Sequence, residues 1–303
     1  MTAIDRHAIK LAEALAAAQP RCDLPIPALP PLPPPITATD LTFIDRAGET
    51  YSVPVIDFAS LPTTKPTYDQ VIERTPGVIH YWPLNEPAGS LHALDHVGSF
   101  TLTAFGNVSF GAPPVCNDLE TVARWPGEPV GLPDPSLNAA DYIVLQAALI
   151  PQAGPWSIEF IASQTFLGGA NQDNQVMLCI GGYPATTGFY VATSGGGDYI
   201  FGGPSGDFNT DANAITAGTS HIVLTYDGVG TASNSVKGYI NGWPLMSQPE
   251  STFGTLTPEV FGYIGLRQDS EYGLIGTIGK LAIYDVVLPY ETVLNHYNSG
   301  VNQ

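Results

Sequence analysis

Downstream of Gly77 the chain is a succession of short apolar or alternating runs, each closed by Gly, Pro, Asn or Asp. Alternation with a period of two predicts half-buried strands, and the closing residues predict turns. The runs are Val78–Trp82, Thr101–Phe105, Tyr142–Gln146, Trp156–Ala162, Gln175–Ile180, Gly188–Thr193, Ser220–Tyr226, Val236–Ile240, Tyr263–Leu266 and Gly276–Asp285. About ten strands with no helical period between them predict an antiparallel sandwich or barrel. No internal repeat is visible, which disfavours propellers and β-helices.

The pattern upstream is different. Ile4, Ala8, Leu11 and Leu15 recur at 4-3-4 spacing behind Thr2 and Asp5, which sit like a capping box. A helix over 1–19 with this narrow seam suits a partner helix, since about four turns are marginal alone in water. Residues 20–38 are proline-rich and predict an extended polyproline arm at about 3.1 Å per residue, roughly 50 Å over Pro20–Pro35. Residues 39–66 read as a docking β-hairpin turning at Arg46–Glu49, with Pro54 confining its second strand to an edge. Tyr68–Arg74 reads as a short helix stopped by Thr75-Pro76-Gly77, and 67–303 as one sandwich domain.

Composition narrows the function. Lys and Arg total 10 against 28 Asp and Glu, and past residue 76 the only cations are Arg124, Lys237, Arg267 and Lys280. Nucleic acid is therefore not an expected partner. The N-terminus has no cationic region ahead of an apolar run, so synthesis in a host cytoplasm without a signal peptide is expected. No apolar stretch reaches the roughly 20 residues of a membrane span. Cys22, Cys116 and Cys179 are an odd number at unrelated spacings, which argues against a disulfide framework or a zinc site.

Taken in order, several segments carry a resemblance: Tyr81-Trp-Pro-Leu-Asn-Glu86, Asp95-His-Val-Gly98, Trp156-Ser-Ile-Glu-Phe160, His221–Asp227, Lys237–Gly242, and Gly276–Asp285 followed by Leu288–Tyr297. Together they resemble the laminin-G-like, concanavalin A-like jelly-roll family over residues 78–300, in the form found in bacteriophage tail and virion surface proteins. The resemblance implies an all-β, antiparallel jelly-roll β-sandwich. Trp82, Trp156 and Tyr284 are expected as core anchors, and Asn241-Gly242 as a two-residue turn with positive φ.

Possible chemistry follows from particular residues. Glycoside hydrolysis needs two carboxylates about 5–10 Å apart, and the nearest approximations, Asp118-Leu-Glu120 and Asp269-Ser-Glu271, read better as loop acids. The family's oxygen-rich loops often hold calcium, and Asp95 matches its first ligand turn. Where the closing strand of the family usually carries an acidic pair, however, this chain has Gly279-Lys280. Glycan binding would use aromatics with nearby acceptors. Trp243 beside Asn241, and Tyr183, Tyr190 and Tyr199 around Ser194–Asp198, are the candidates, packing inside the sandwich being the alternative for the tyrosines.

The expectation is a non-enzymatic virion structural protein, a capsid decoration or minor tail component at the virion surface. It would be held to major capsid or tail proteins through residues 1–60 and would form a homo-oligomer. The alternative is an adhesion module for host surface glycan, and after it a glycoside hydrolase.

Overall fold

The computed structural model describes residues 42–44, 50–52, 66–115, 120–126, 141–145, 149–151, 154–164, 175–181, 188–194, 197–203, 205–210, 219–229, 235–248, 262–267 and 273–301. Ile4, Ala8, Leu11, Leu15, the proline-rich arm, Tyr183, Asp118, Asp269 and Glu271 lie outside them. The chain divides into two units, Met1–Thr64 and Lys65–Gln303. In the first, β1 (Thr42–Ile44) pairs antiparallel with β2 (Thr50–Ser52), with Ile44 opposite Thr50.

The second unit is an antiparallel β-sandwich. The front sheet runs in the order β13 (Gly206–Asn209), β12 (Tyr199–Gly203), β11 (Phe189–Thr193), β10 (Gln175–Ile180), β17 (Gly262–Ile264), β8 (Tyr142–Leu145), β5 (Leu102–Phe105), β4 (His92–Ala93). The back sheet runs β16 (Trp243–Gln248), β15 (Val236–Ile240), β14 (Thr219–Tyr226), β9 (Trp156–Gln164), β18 (Gly276–Tyr284), β7 (Val122–Trp125), β6 (Ser109–Ala112), and β3 (Val78–Trp82) also pairs with β18. Alternate residues of both sheets interdigitate between them, with Trp82, Trp125, Trp156, Phe160 and Phe201 each at most 2% exposed.

Two helices cover the outer side of the back sheet. Helix α1 (Tyr68–Glu73) begins in a capping box, in which Thr67 Oγ1 accepts from Gln70 N and Gln70 Oε1 accepts from Thr67 N. Helix α2 is Tyr290–Gly300. Tyr68 and Ile72 of α1 and Val293 of α2 pack in one cluster with Tyr81, Ile161, Val223, Tyr239, Tyr284 and Leu288. The central strand β9 is therefore covered on both faces, and its pattern is buried nearly throughout rather than alternating. Tyr284 anchors this outer layer and not the space between the sheets, because it faces the helices.

Candidate functional site

The front sheet carries an aromatic face on its outer side. In β5, β8 and β17 the inward residues Leu102, Ile143, Leu145 and Ile264 belong to the core, so Thr103, Phe105, Tyr142, Val144 and Tyr263 must point the other way. Register aligns them. Tyr190, Cys179, Tyr263, Val144, Thr103 and His92 form one line across six strands, each directly opposite the next. Phe105 lies opposite Tyr142 in the adjacent line.

The Phe105 and Tyr142 rings stack at 5.1 Å with 19° between planes, and Tyr263 meets Tyr142 edge-on at 5.4 Å. Such pairs hold one another upright and leave ring surface for a ligand. Phe105 is 40% exposed, and Tyr142, Val144, Thr103 and Tyr263 are half-buried. Tyr142 and Tyr263 hydroxyls have no hydrogen-bond partner among the described residues, whereas Thr103 Oγ1 lies 3.3 Å from His92 Nδ1. From Tyr263 to His92 this open stretch covers three strand spacings, about 14 Å.

The residues singled out in the sequence are placed differently. Tyr199 points into the core and its hydroxyl donates to Ser220 Oγ on the opposing sheet, so it ties the two sheets together. Burial, opposed by that hydrogen bond, raises its pKa to about 12. Tyr190 is on the outer face but buried in a cluster with Val176, Cys179, Ala192 and Ile200. Its ring lies where a Cβ on Gly202 would go, which explains that glycine in β12. Neither tyrosine is an exposed platform, because a tyrosine on a fully covered strand packs whichever face it takes.

Asn241 and Gly242 make the expected turn, with φ of 53° and 77°. Asn241 Oδ1 accepts from His221 N at 2.9 Å, so its acceptor fastens β14 and does not address a ligand. Trp243 is 63% exposed, but no register partner places it among the front-sheet aromatics, since it lies on edge strand β16 of the back sheet.

Asp95 does not fit a calcium ligand. Its Oδ1 accepts from Tyr81, Val97 and Gly98 backbone N–H groups and its Oδ2 meets Phe100 N and His80 Nδ1, so both oxygens are occupied in folding the β4–β5 connection and fastening it to β3. Burial works to raise its pKa and is outweighed by these bonds, so the carboxyl sits below its usual range. No group of three or more His, Cys, Asp or Glu among the described residues is arranged to hold a metal.

Two polar clusters remain, both on the helix side. Lys280, at φ 61° in a bulge of β18, is fully buried and sends Nζ to Asp69 Oδ1 at 2.7 Å and Glu120 Oε2 at 2.6 Å. Tyr81 also donates to Asp69. Burial raises the Asp69 carboxyl against the pull of Lys280. At Glu120 burial loses to the hydrogen bonds from Lys280, Asp69 and Asn85, and the carboxyl is lowered. Asp69 and Glu120 thus share hydrogen bonds and cannot flank a glycosidic bond, which needs about 5 Å or more between carboxyls.

The second cluster surrounds Glu159. Tyr68 Oη and His221 Nε2 reach its Oε1, and Tyr284 Oη and His296 Nδ1 reach its Oε2, so the carboxylate is filled with donors. Burial favours a raised pKa but is overcome by His296 and His221, and the carboxyl lies far below its usual range. Glu159 is 0% exposed, and is therefore a structural acid. The sequence gives little warning of either cluster, whose members are distant in the chain.

No protein-family model matches the chain, and no curated protein matches its sequence. Among solved structures it is similar to a Trypanosoma rangeli sialidase in complex with 2,3-difluorosialic acid, at 12% identity and TM-score 0.52, covering 74% of this chain and 33% of that one. It is also similar to the receptor-binding domain of botulinum neurotoxin C/D mosaic serotype, at 14% and 0.50, covering 73% and 51%. The binding domain of botulinum neurotoxin serotype G gives 14% and 0.50, covering 73% and 50%. The chain spans a third to a half of those chains. At such identities the likeness establishes the fold alone, a β-sandwich.

Proposed function

We propose that the second unit is a non-catalytic glycan-binding module whose contact surface is the outer face of the front sheet. The observation that carries the reading is the Tyr263–Val144–Thr103 register line beside the Phe105–Tyr142 stack, an exposed aromatic strip with hydroxyls at its margin. Support comes also from receptor-binding domains sharing the fold. Among the described residues, Asp69 and Glu120 are engaged with Lys280, and Glu159 is enclosed by its Tyr and His donors.

Attachment belongs to the same proposal. Residues 1–60 fasten the protein to a larger assembly, a bacteriophage capsid or tail, with the sandwich displayed at the particle surface. This part rests on the sequence resemblance and on the helix and arm that the sequence predicts, and the division of the chain between Thr64 and Lys65 is compatible with it.

Glycan-array binding of the full chain, repeated with Phe105→Ala, tests the module. Signal lost in the variant at unchanged melting temperature is the expected result, and signal that persists unaltered removes the front face from the reading. Co-sedimentation with particles lacking the protein tests attachment. A form without residues 1–35 should stay in the supernatant, and full retention would transfer attachment to the sandwich.

A further inference from the structure

The chemistry of the front face narrows what it accepts. Its two register lines, Tyr190–Cys179–Tyr263–Val144–Thr103–His92 and Phe105–Tyr142, contain no lysine, arginine, aspartate or glutamate. A sugar carboxylate, sulfate or phosphate laid on these rings would give up water with no guanidinium or ammonium to replace it, a large cost for an ion. The chain as a whole adds to the penalty, since its net charge is −18 and its field repels anions. A hydroxylated, uncharged ring meets no such cost. Its apolar face covers the aromatic surface, and its hydroxyls find Tyr142 Oη, Tyr263 Oη and Thr103 Oγ1.

Resting on the glycan-binding reading above, we infer that the front face selects uncharged oligosaccharides lying across β17, β8, β5 and β4, and rejects acidic glycans such as those ending in sialic acid. Binding is carried by stacking and neutral hydrogen bonds, so salt has little purchase on it.

The test is calorimetric titration of the full chain with uncharged hexasaccharides of glucose, mannose, xylose and arabinose, and with sialyllactose, each at about 0.05 and 0.5 M salt. The expected result is binding of at least one uncharged ligand with affinity changing less than about twofold with salt, and none of sialyllactose. Tyr263→Ala and Phe105→Ala should each weaken it about tenfold or more, in line with the loss of a stacking contact. Tyr263→Phe, which keeps the ring, should weaken it less. Because Phe105 is the more exposed, it serves as the control if Tyr263→Ala lowers the melting temperature. Sialyllactose binding that Phe105→Ala abolishes overturns the selectivity and leaves the glycan face standing. Binding of neither ligand class, or binding untouched by both alanine variants, overturns the face itself.

Discussion

Glu159 and His296 meet at 2.8 Å between the last helix and the back sheet, both closed off from water. Thr75 Oγ1 gives its proton to Val71 O at 2.8 Å and so presents a lone pair to His296 Nε2 at 2.9 Å. Both ring nitrogens of His296 are thus engaged, Nδ1 with Glu159 and Nε2 with Thr75. His221 Nε2 lies 3.0 Å from Glu159 Oε1, and its Nδ1 has no partner among the described residues. The helices are held by a buried Glu159–His296 pair with three further side chains on the carboxylate.

Removing one member of such a pair leaves the other buried without its partner. Glu159→Leu is expected to cost about 3–5 kcal/mol in urea unfolding. Glu159→Leu with His296→Leu should recover part of that, because the pair leaves together. A single-variant loss below about 1 kcal/mol would show that the network carries little of the fold's stability.

The same groups set the dependence on pH. The folded Glu159 carboxyl lies below its unfolded value near 4.5, so its contribution is complete above that pH and is lost as pH falls through and below it. Tyr68 and Tyr284 are raised, first by burial and then by the Glu159 charge. Their contribution is complete below the unfolded value of 10.0 and is lost as pH rises beyond it. Melting temperature should form a plateau falling on both sides, and Glu159→Gln should flatten the acid side. An acid limb unchanged in that variant would assign the effect to other carboxyls.

Where the sandwich begins is also testable. Residues 78–300 hold the strand runs, but Tyr68, Ile72 and Thr75 of the preceding segment lie buried against the back sheet. A fragment 65–303 should melt cooperatively as a folded domain. One beginning at residue 78 strips Tyr68 from Glu159 and uncovers apolar surface, and is expected to melt lower or aggregate. Equal melting of the two by circular dichroism would show that α1 is dispensable.

Trp243 offers a control with the opposite outcome. At 63% exposure on an edge strand, its replacement by Ala should change stability by less than about 0.5 kcal/mol. Glycan binding should survive as well, since the front face lies on the other sheet. A large loss of binding with normal melting would move the site to the back-sheet edge.

How much of this was legible in the sequence varies with the kind of information each feature needs. Val78–Trp82, Gln175–Ile180 and Val236–Ile240 are strands with the expected bounds, because apolar runs closed by turn residues report local structure directly. Tyr199–Gly203 escaped notice because its two glycines weaken the strand signal, although Gly202 is there to admit the Tyr190 ring. The front-face strip depends on register between β17, β8 and β5, which are not consecutive, and no local pattern sets that register. Glu159, His221 and His296 converge only after the back sheet forms. Trp243 was visible as a turn aromatic, but visibility in a turn does not reveal which neighbours it has.

Helix α1 opens the sandwich and α2 closes it, and the two touch where Gly300 backs onto the Tyr68 ring with no room for a Cβ between them. Entry and exit of the domain therefore share one corner on the back-sheet side. A domain wired in this way behaves as a cassette. It can be inserted into a surface loop of a host scaffold, or permuted by a short linker joining residues 300 and 67, without stretching either connection. In both formats the front sheet remains the unencumbered side.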